Sequence, residues 1–164
     1  MRFTTPGARA LVSAAIAATI FITSAPPSPV AAAGSIEAAQ VISIAKAQRG
    51  DPWRYGATGP SSFDCSGLVI YAYKAAGDLR LIGNGDYRSA SALYKYFRDR
   101  GRTSRTNATP GDLVVWGYGK HIGIYLGSGM AISTLSSGVR IHSVGALTLP
   151  FTAYLRTGIY QLTP

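Results

Sequence analysis

Cys65 is the one cysteine among 164 residues, and His121 and His142 are the only two histidines. A thiol attacks an acyl carbon well only as a thiolate, and imidazole is the side chain suited to take its proton near neutral pH. These residue types therefore allow covalent catalysis by a Cys-His pair, with a further polar group needed to orient the base. They do not suit a metal site, because one cysteine and two histidines about 20 residues apart have no recognisable ligand spacing. No cofactor is expected.

The element that must position Cys65 is a helix. Leu68, Val69, Ala72, Tyr73 and Ala76 recur at three- and four-residue spacing and Gly77 follows, so residues 64–76 read as an amphipathic helix with a glycine stop. Asp64 is the natural N-cap. Cys65 then falls in the first turn, where unpaired N–H groups and the positive end of the dipole favour a thiolate. Taken alone, a lone cysteine reads more readily as a small buried hydrophobe, so its partners carry the argument. His121 opens the run His121-Ile122-Gly123-Ile124-Tyr125-Leu126. Alternation puts His121, Gly123 and Tyr125 on one face of a strand, read as cleft, and Ile122, Ile124 and Leu126 on the other, read as core. Gly123 leaves room for another side chain or a substrate to approach.

The rest of the chain supplies a scaffold in two halves. Residues 36–49 are rich in helix formers between Ser35 and Gly50, and 51–62 is a glycine- and proline-bearing loop that leads into the cysteine helix. Residues 78–88 read as polar connection, Ser89 caps a helix over 90–100, and Arg102 and Arg105 fall in a basic loop expected to be solvated. From residue 110 the period changes, and strands are expected over 113–116, 121–126, 130–134, 138–144 and 153–161. Helices first and a small antiparallel sheet second is the α+β pattern.

Residues 1–33 combine a basic start, an apolar run and a small-residue ending, which reads as a secretory signal peptide. The apolar run is shorter than the roughly 18 to 20 residues needed to span a bilayer, so no lasting membrane anchor is expected. Residues 34–164 then form a single domain, secreted or wall-associated, large enough to need no disulfide. Losing Arg2 and Arg9 lowers the net charge from +9 to +7. That excess favours anionic partners, and in an exported protein a cell-wall polyanion fits better than nucleic acid.

Taken together, Trp53-Arg54-Tyr55-Gly56, Asp64-Cys65-Ser66-Gly67-Leu68-Val69, Pro110-Gly111-Asp112-Leu113 and His121-Ile122-Gly123-Ile124-Tyr125-Leu126-Gly127 resemble the successive motifs of the NlpC family of bacterial cell-wall cysteine peptidases. The resemblance runs over most of residues 36–160. It implies a papain-like α+β fold, Cys65 as nucleophile, His121 as base, and hydrolysis of amide bonds in peptidoglycan stem peptides, typically after D-glutamate. It also implies that Asp64 and Ser66 shape the substrate subsite, where they could hold a free amine. The family often has a tyrosine, thought to bind the oxyanion, where this chain has Trp53, with Tyr55 as an adjacent alternative. The family commonly orients its base with a histidine on the next strand. The matching position is Ser133, which is favoured for that role over His142 on a further strand. Two rivals keep the same motifs: a transamidase or acyltransferase that passes the acyl group to an amine or alcohol, and a wall-binding module with weakened catalysis.

Overall fold

The computed structural model describes Met1 and residues 29–159, with side chains given from Ile36 onward. The expected signal peptide lies outside the described residues except for Met1 and its last few positions, which join the first helix. Among the described residues three α-helices come first: α1 (Pro29–Ala47), α2 (Cys65–Ala75) and α3 (Ala90–Arg98). Six strands follow: β1 (Thr103–Ser104), β2 (Leu113–Trp116), β3 (His121–Gly127), β4 (Met130–Leu135), β5 (Gly138–Ser143) and β6 (Phe151–Leu155). They form one antiparallel sheet in the order β1-β6-β2-β3-β4-β5. Among the described residues no helix is long and apolar enough to cross a membrane.

The caps form where the sequence places them. Asp64 accepts the Gly67 N–H at 2.6 Å to start α2, and Ser89 accepts the Ala92 N–H at 3.1 Å to start α3. Gly77, just past α2, takes φ +84°, a left-handed conformation that costs glycine little. Helix α2 packs on β3 and β4, and Leu68, Val69, Ala72 and Tyr73 share one core with Leu113, Ile122, Ile124 and Ile132 of the sheet. The Pro110-Gly111-Asp112 turn ties that core together. Tyr73 donates its hydroxyl proton to the Gly111 carbonyl, and the buried Asp112 carboxylate accepts from Thr109 on one oxygen and Thr157 on the other.

Four expectations change. The sheet face shared by His121, Gly123 and Tyr125 is not simply a cleft, because Trp116, Val114 and Ala131 build a second apolar cluster on it. The last strand runs from Phe151 to Leu155, and residues 156–159 of the expected 153–161 are not strand, while 160–161 lie outside the described residues. Leu79–Ile82 forms a 3-10 turn with Ile82 buried, inside the stretch read as polar connection. The basic loop is not merely solvated: it contributes β1, and Arg105 lies over the Phe151 ring and donates to the Thr152 carbonyl at 3.0 Å.

Gly123 is where the sheet needs the smallest residue. A Cβ there would sit 2.6 Å from the Ile132 carbonyl oxygen and 2.8 Å from the Ser133 Cβ. Both are rigid parts of β4, so Gly123→Ala must push that strand away. We expect a loss of about 2 kcal/mol in thermal or denaturant unfolding.

Candidate active site

Helix α2 delivers Cys65 at its first residue, and β3 delivers His121 at its first residue. Because α2 packs across β3, these two starting points meet. The backbone N–H of Ile122, the residue after His121, lies near enough to the Cys65 sulfur to favour its thiolate. Cys65 and His121 line one cleft of about 440 Å³ together with Trp53, Tyr55, Asp64, Ser66, Arg88, Lys120 and Thr134. A second apolar hollow of about 490 Å³, walled by Leu135, Ala146, Leu147 and Leu149, also reaches Trp53, His121 and Thr134. Trp53, half-exposed, therefore stands at both hollows, as does His121. Tyr55 is far more exposed and lines only the first.

Electrostatics at Cys65 runs against the simple helix-terminus expectation. Burial pushes the thiol pKa up and the Asp64 charge adds to that, outweighing the N–H groups of Ile122, Ser66 and Cys65 that favour a thiolate. His121 is shifted the other way: burial, then the nearby His142, lowers its pKa from 6.5 to about 4. Near neutrality the pair rests as neutral thiol and neutral imidazole. For Cys65 to act as a nucleophile from this state, its proton would have to move as it attacks.

Burial of His121 has a stability consequence. Its folded-state pKa is depressed, so between pH 6.5 and about 4 the unfolded chain binds more protons than the native one. The stabilisation from the neutral imidazole is full above pH 6.5 and drains away as pH falls through that window, by on the order of 3 kcal/mol. Unfolding curves measured from pH 7.5 down to 4 are expected to show this loss, and His121→Gln to flatten it.

Ser133, fully buried on β4, lies 2.9 Å from His121 Nε2. Its hydroxyl is also 2.8 Å from His142 Nε2 on β5. The two residues weighed as alternatives for orienting His121 thus stand in series, with Ser133 making the direct contact.

Asp64 and Ser66 flank the thiol but do not face the cleft as free groups. Arg88 grips the Asp64 carboxylate with Nη1 at 3.1 Å and Nη2 at 2.7 Å, and its Nη1 also donates to Ser66 Oγ at 2.7 Å. Ser66 donates in turn to Asp64 Oδ1, while Gly67 and Gly56 N–H groups take the remaining acceptor sites. Burial would raise the Asp64 pKa, but the Arg88 guanidinium with the Gly67 and Ser66 hydrogen bonds holds it below the ordinary value. Sequence reasoning missed Arg88, which sits 24 residues from Asp64 in a stretch read as connection. It also missed Thr134, a 1 % exposed residue whose hydroxyl has no hydrogen-bond partner. Nothing in local periodicity distinguishes either one.

Residues 40–150 match the NlpC/P60 family. Among curated proteins, the "Probable endopeptidase p60" of Listeria grayi is 39 % identical over 103 residues, a match spanning 61 % of this chain and 18 % of that protein. The chain thus spans about a fifth of the length of the first such relatives it matches. Among solved structures, the peptidoglycan hydrolase RipB of Mycobacterium tuberculosis is similar with a TM-score of 0.60 and 28 % identity, over 83 % of this chain and 74 % of that one. RipD of the same organism, described as a non-catalytic NlpC/p60 domain protein adapted to peptidoglycan binding, reaches 0.59 and 27 % over 73 % and 95 %. With helices packed on one face of a six-stranded antiparallel sheet, the fold is papain-like α+β, and the chain belongs to the NlpC/P60 family.

Proposed function

We propose that this chain is a peptidoglycan endopeptidase that cleaves stem-peptide amide bonds through Cys65 and His121, with the bond after D-glutamate as its target. The observation that carries the reading is the meeting of the first residue of α2 with the first residue of β3 in one cleft. RipD shares the fold without catalysis, so the fold alone does not carry it.

In this reading His121 takes the Cys65 proton as Sγ attacks the carbonyl carbon. The tetrahedral oxyanion is met by the backbone N–H groups at the open first turn of α2, with the Trp53 indole N–H as a further donor. The C–N bond breaks, and the departing amine leaves with the proton that His121 received. Water, deprotonated by His121, then attacks the thioester and releases the stem-peptide acid and the thiol.

The Arg88–Asp64 ion pair supports a reading of which stem is taken. With Asp64 neutralised and Lys120 in the same cleft, the subsite offers little to a free ammonium. It suits stems whose amino end is still acylated, as in intact wall. We further propose that residues 1–33 direct export and that residues 34–164 act at the wall, drawn to its anionic polymers by the chain's positive charge.

The deciding experiment is mass spectrometry of the soluble products released from peptidoglycan by the protein, with Cys65→Ser beside it. New fragments from the wild type alone are expected, and their masses name the bond. Adding a small amine separates hydrolysis from acyl transfer, since a hydrolase gives mainly the free acid at low amine concentration whereas a transferase passes the acyl group to the amine in preference to water. Absence of fragments from both proteins, with both still wall-bound, would overturn the catalytic reading.

A further inference from the structure

Behind His121 the hydrogen bonds form a chain with a fixed direction. It runs from His121 Nε2 to Ser133 Oγ at 2.9 Å, from Ser133 Oγ to His142 Nε2 at 2.8 Å, and from His142 Nδ1 to the Ser143 carbonyl oxygen at 2.9 Å. A carbonyl oxygen can only accept, so His142 Nδ1 carries a proton and the Nε2 of the neutral ring is an acceptor. Ser133 has a single proton to give. It donates that proton to His142, and its oxygen accepts from the Nε2–H of His121.

We propose that His142 is a positioning residue which, anchored on the Ser143 carbonyl and acting through Ser133, holds His121 as the tautomer whose Nδ1 is free to take the Cys65 proton. The inference rests on the Cys-His reading of the site. His121 cannot serve as base through a nitrogen that already carries hydrogen, and Ser133 alone could not settle the matter. A hydroxyl gives or accepts with equal ease, so without a partner of fixed polarity it would support either tautomer.

The surroundings make this direction strict. Ser133 is fully buried, so solvent does not compete for its hydroxyl. The buried Trp116 ring lies 5.4 Å from the His121 ring and 5.6 Å from the His142 ring, and its own N–H is committed to the Val144 carbonyl at 2.8 Å. Trp116 therefore walls the chain without offering it a donor. Strand pairing supplies the rest, since β4 runs antiparallel between β3 and β5 and the pleat puts His121, Ser133 and His142 on one face of the sheet.

The test uses His142→Phe, which keeps a ring of similar shape and removes the acceptor, and His142→Gln, whose carbonyl can still accept from Ser133. Nitrogen-15 NMR of the histidines at neutral pH should show Nε2 of His121 protonated in the wild type and in His142→Gln, and a mixture of tautomers in His142→Phe. On a soluble muropeptide, His142→Phe should lower kcat about tenfold with KM unchanged, and His142→Gln should stay within about threefold of wild type. Added to Ser133→Ala, His142→Phe should cost nothing further, because the link is already cut. An unchanged His121 tautomer and kcat in His142→Phe would overturn the proposal, as would a loss that adds in full to that of Ser133→Ala. The NMR comparison is read on the free protein, so it decides the matter even if no cleavage is ever found.

Discussion

Cys65→Ala is expected to lower turnover of stem peptide by about 10⁴-fold or more, His121→Ala by a similar factor, and the double variant no further than the worse single one. The reason lies in the resting state. Burial holds the thiol above its ordinary pKa and His121 down at about 4, so near pH 7 there is little standing thiolate for Cys65 to use unaided. In the proposed mechanism nucleophile and base act in a single event, in which bond formation to sulfur and proton arrival at the imidazole proceed together. Removing either partner removes the event, which is why the losses cannot add. Cys65→Ser keeps a protonated nucleophile in place, but a hydroxyl gives up its proton far less readily than a thiol, so it should fare little better than alanine. Single-turnover assays with a soluble muropeptide measure the four variants and the wild type on one scale. If His121→Ala kept more than about a tenth of wild-type turnover, another base would have to be sought.

Much of this was legible in the sequence because it is local. A capped helix start, an alternating strand and a glycine stop each announce themselves within a dozen residues, and these set α2, α3 and β2 through β5 nearly where they stand. What the sequence hid is what depends on distant partners. Arg88 is one cation in a polar stretch until the fold carries it against Asp64. Alternation along β3 separated two faces but could not show that Trp116 of β2 fills one of them. The first-turn N–H groups of α2 do favour a thiolate, but burial, which no local pattern reports, outweighs them. Ser133 and His142 looked like rivals because a sequence has no third dimension in which they could stand one behind the other.

Arg88→Met is expected to change both stability and the preferred form of substrate. The Asp64 side chain is 15 % exposed, and Arg88 supplies its only ion pair among the described residues along with two of its hydrogen bonds. Removing the guanidinium leaves a carboxylate that is largely out of water and uncompensated, and strips Ser66 Oγ of its donor. A loss of about 2 kcal/mol follows, less than for a fully buried pair because the Gly67 and Gly56 N–H groups remain. Asp64→Asn added to Arg88→Met should recover part of that loss, since an amide needs no counter-charge. The functional consequence is sharper. With Arg88 gone, the subsite beside Cys65 gains an unopposed negative charge, which attracts a free ammonium. The ratio of kcat/KM for a stem peptide with a free amino end to that for its N-acetylated form should therefore rise about tenfold, equivalent to about 1.4 kcal/mol. In Arg88→Met/Asp64→Asn the ratio should fall back, because the charge that drew the ammonium has gone. A ratio that stays constant across all three proteins would mean that the amino end of the stem does not bind next to Asp64, and the reading of this subsite would fall while that of Cys65 and His121 stood.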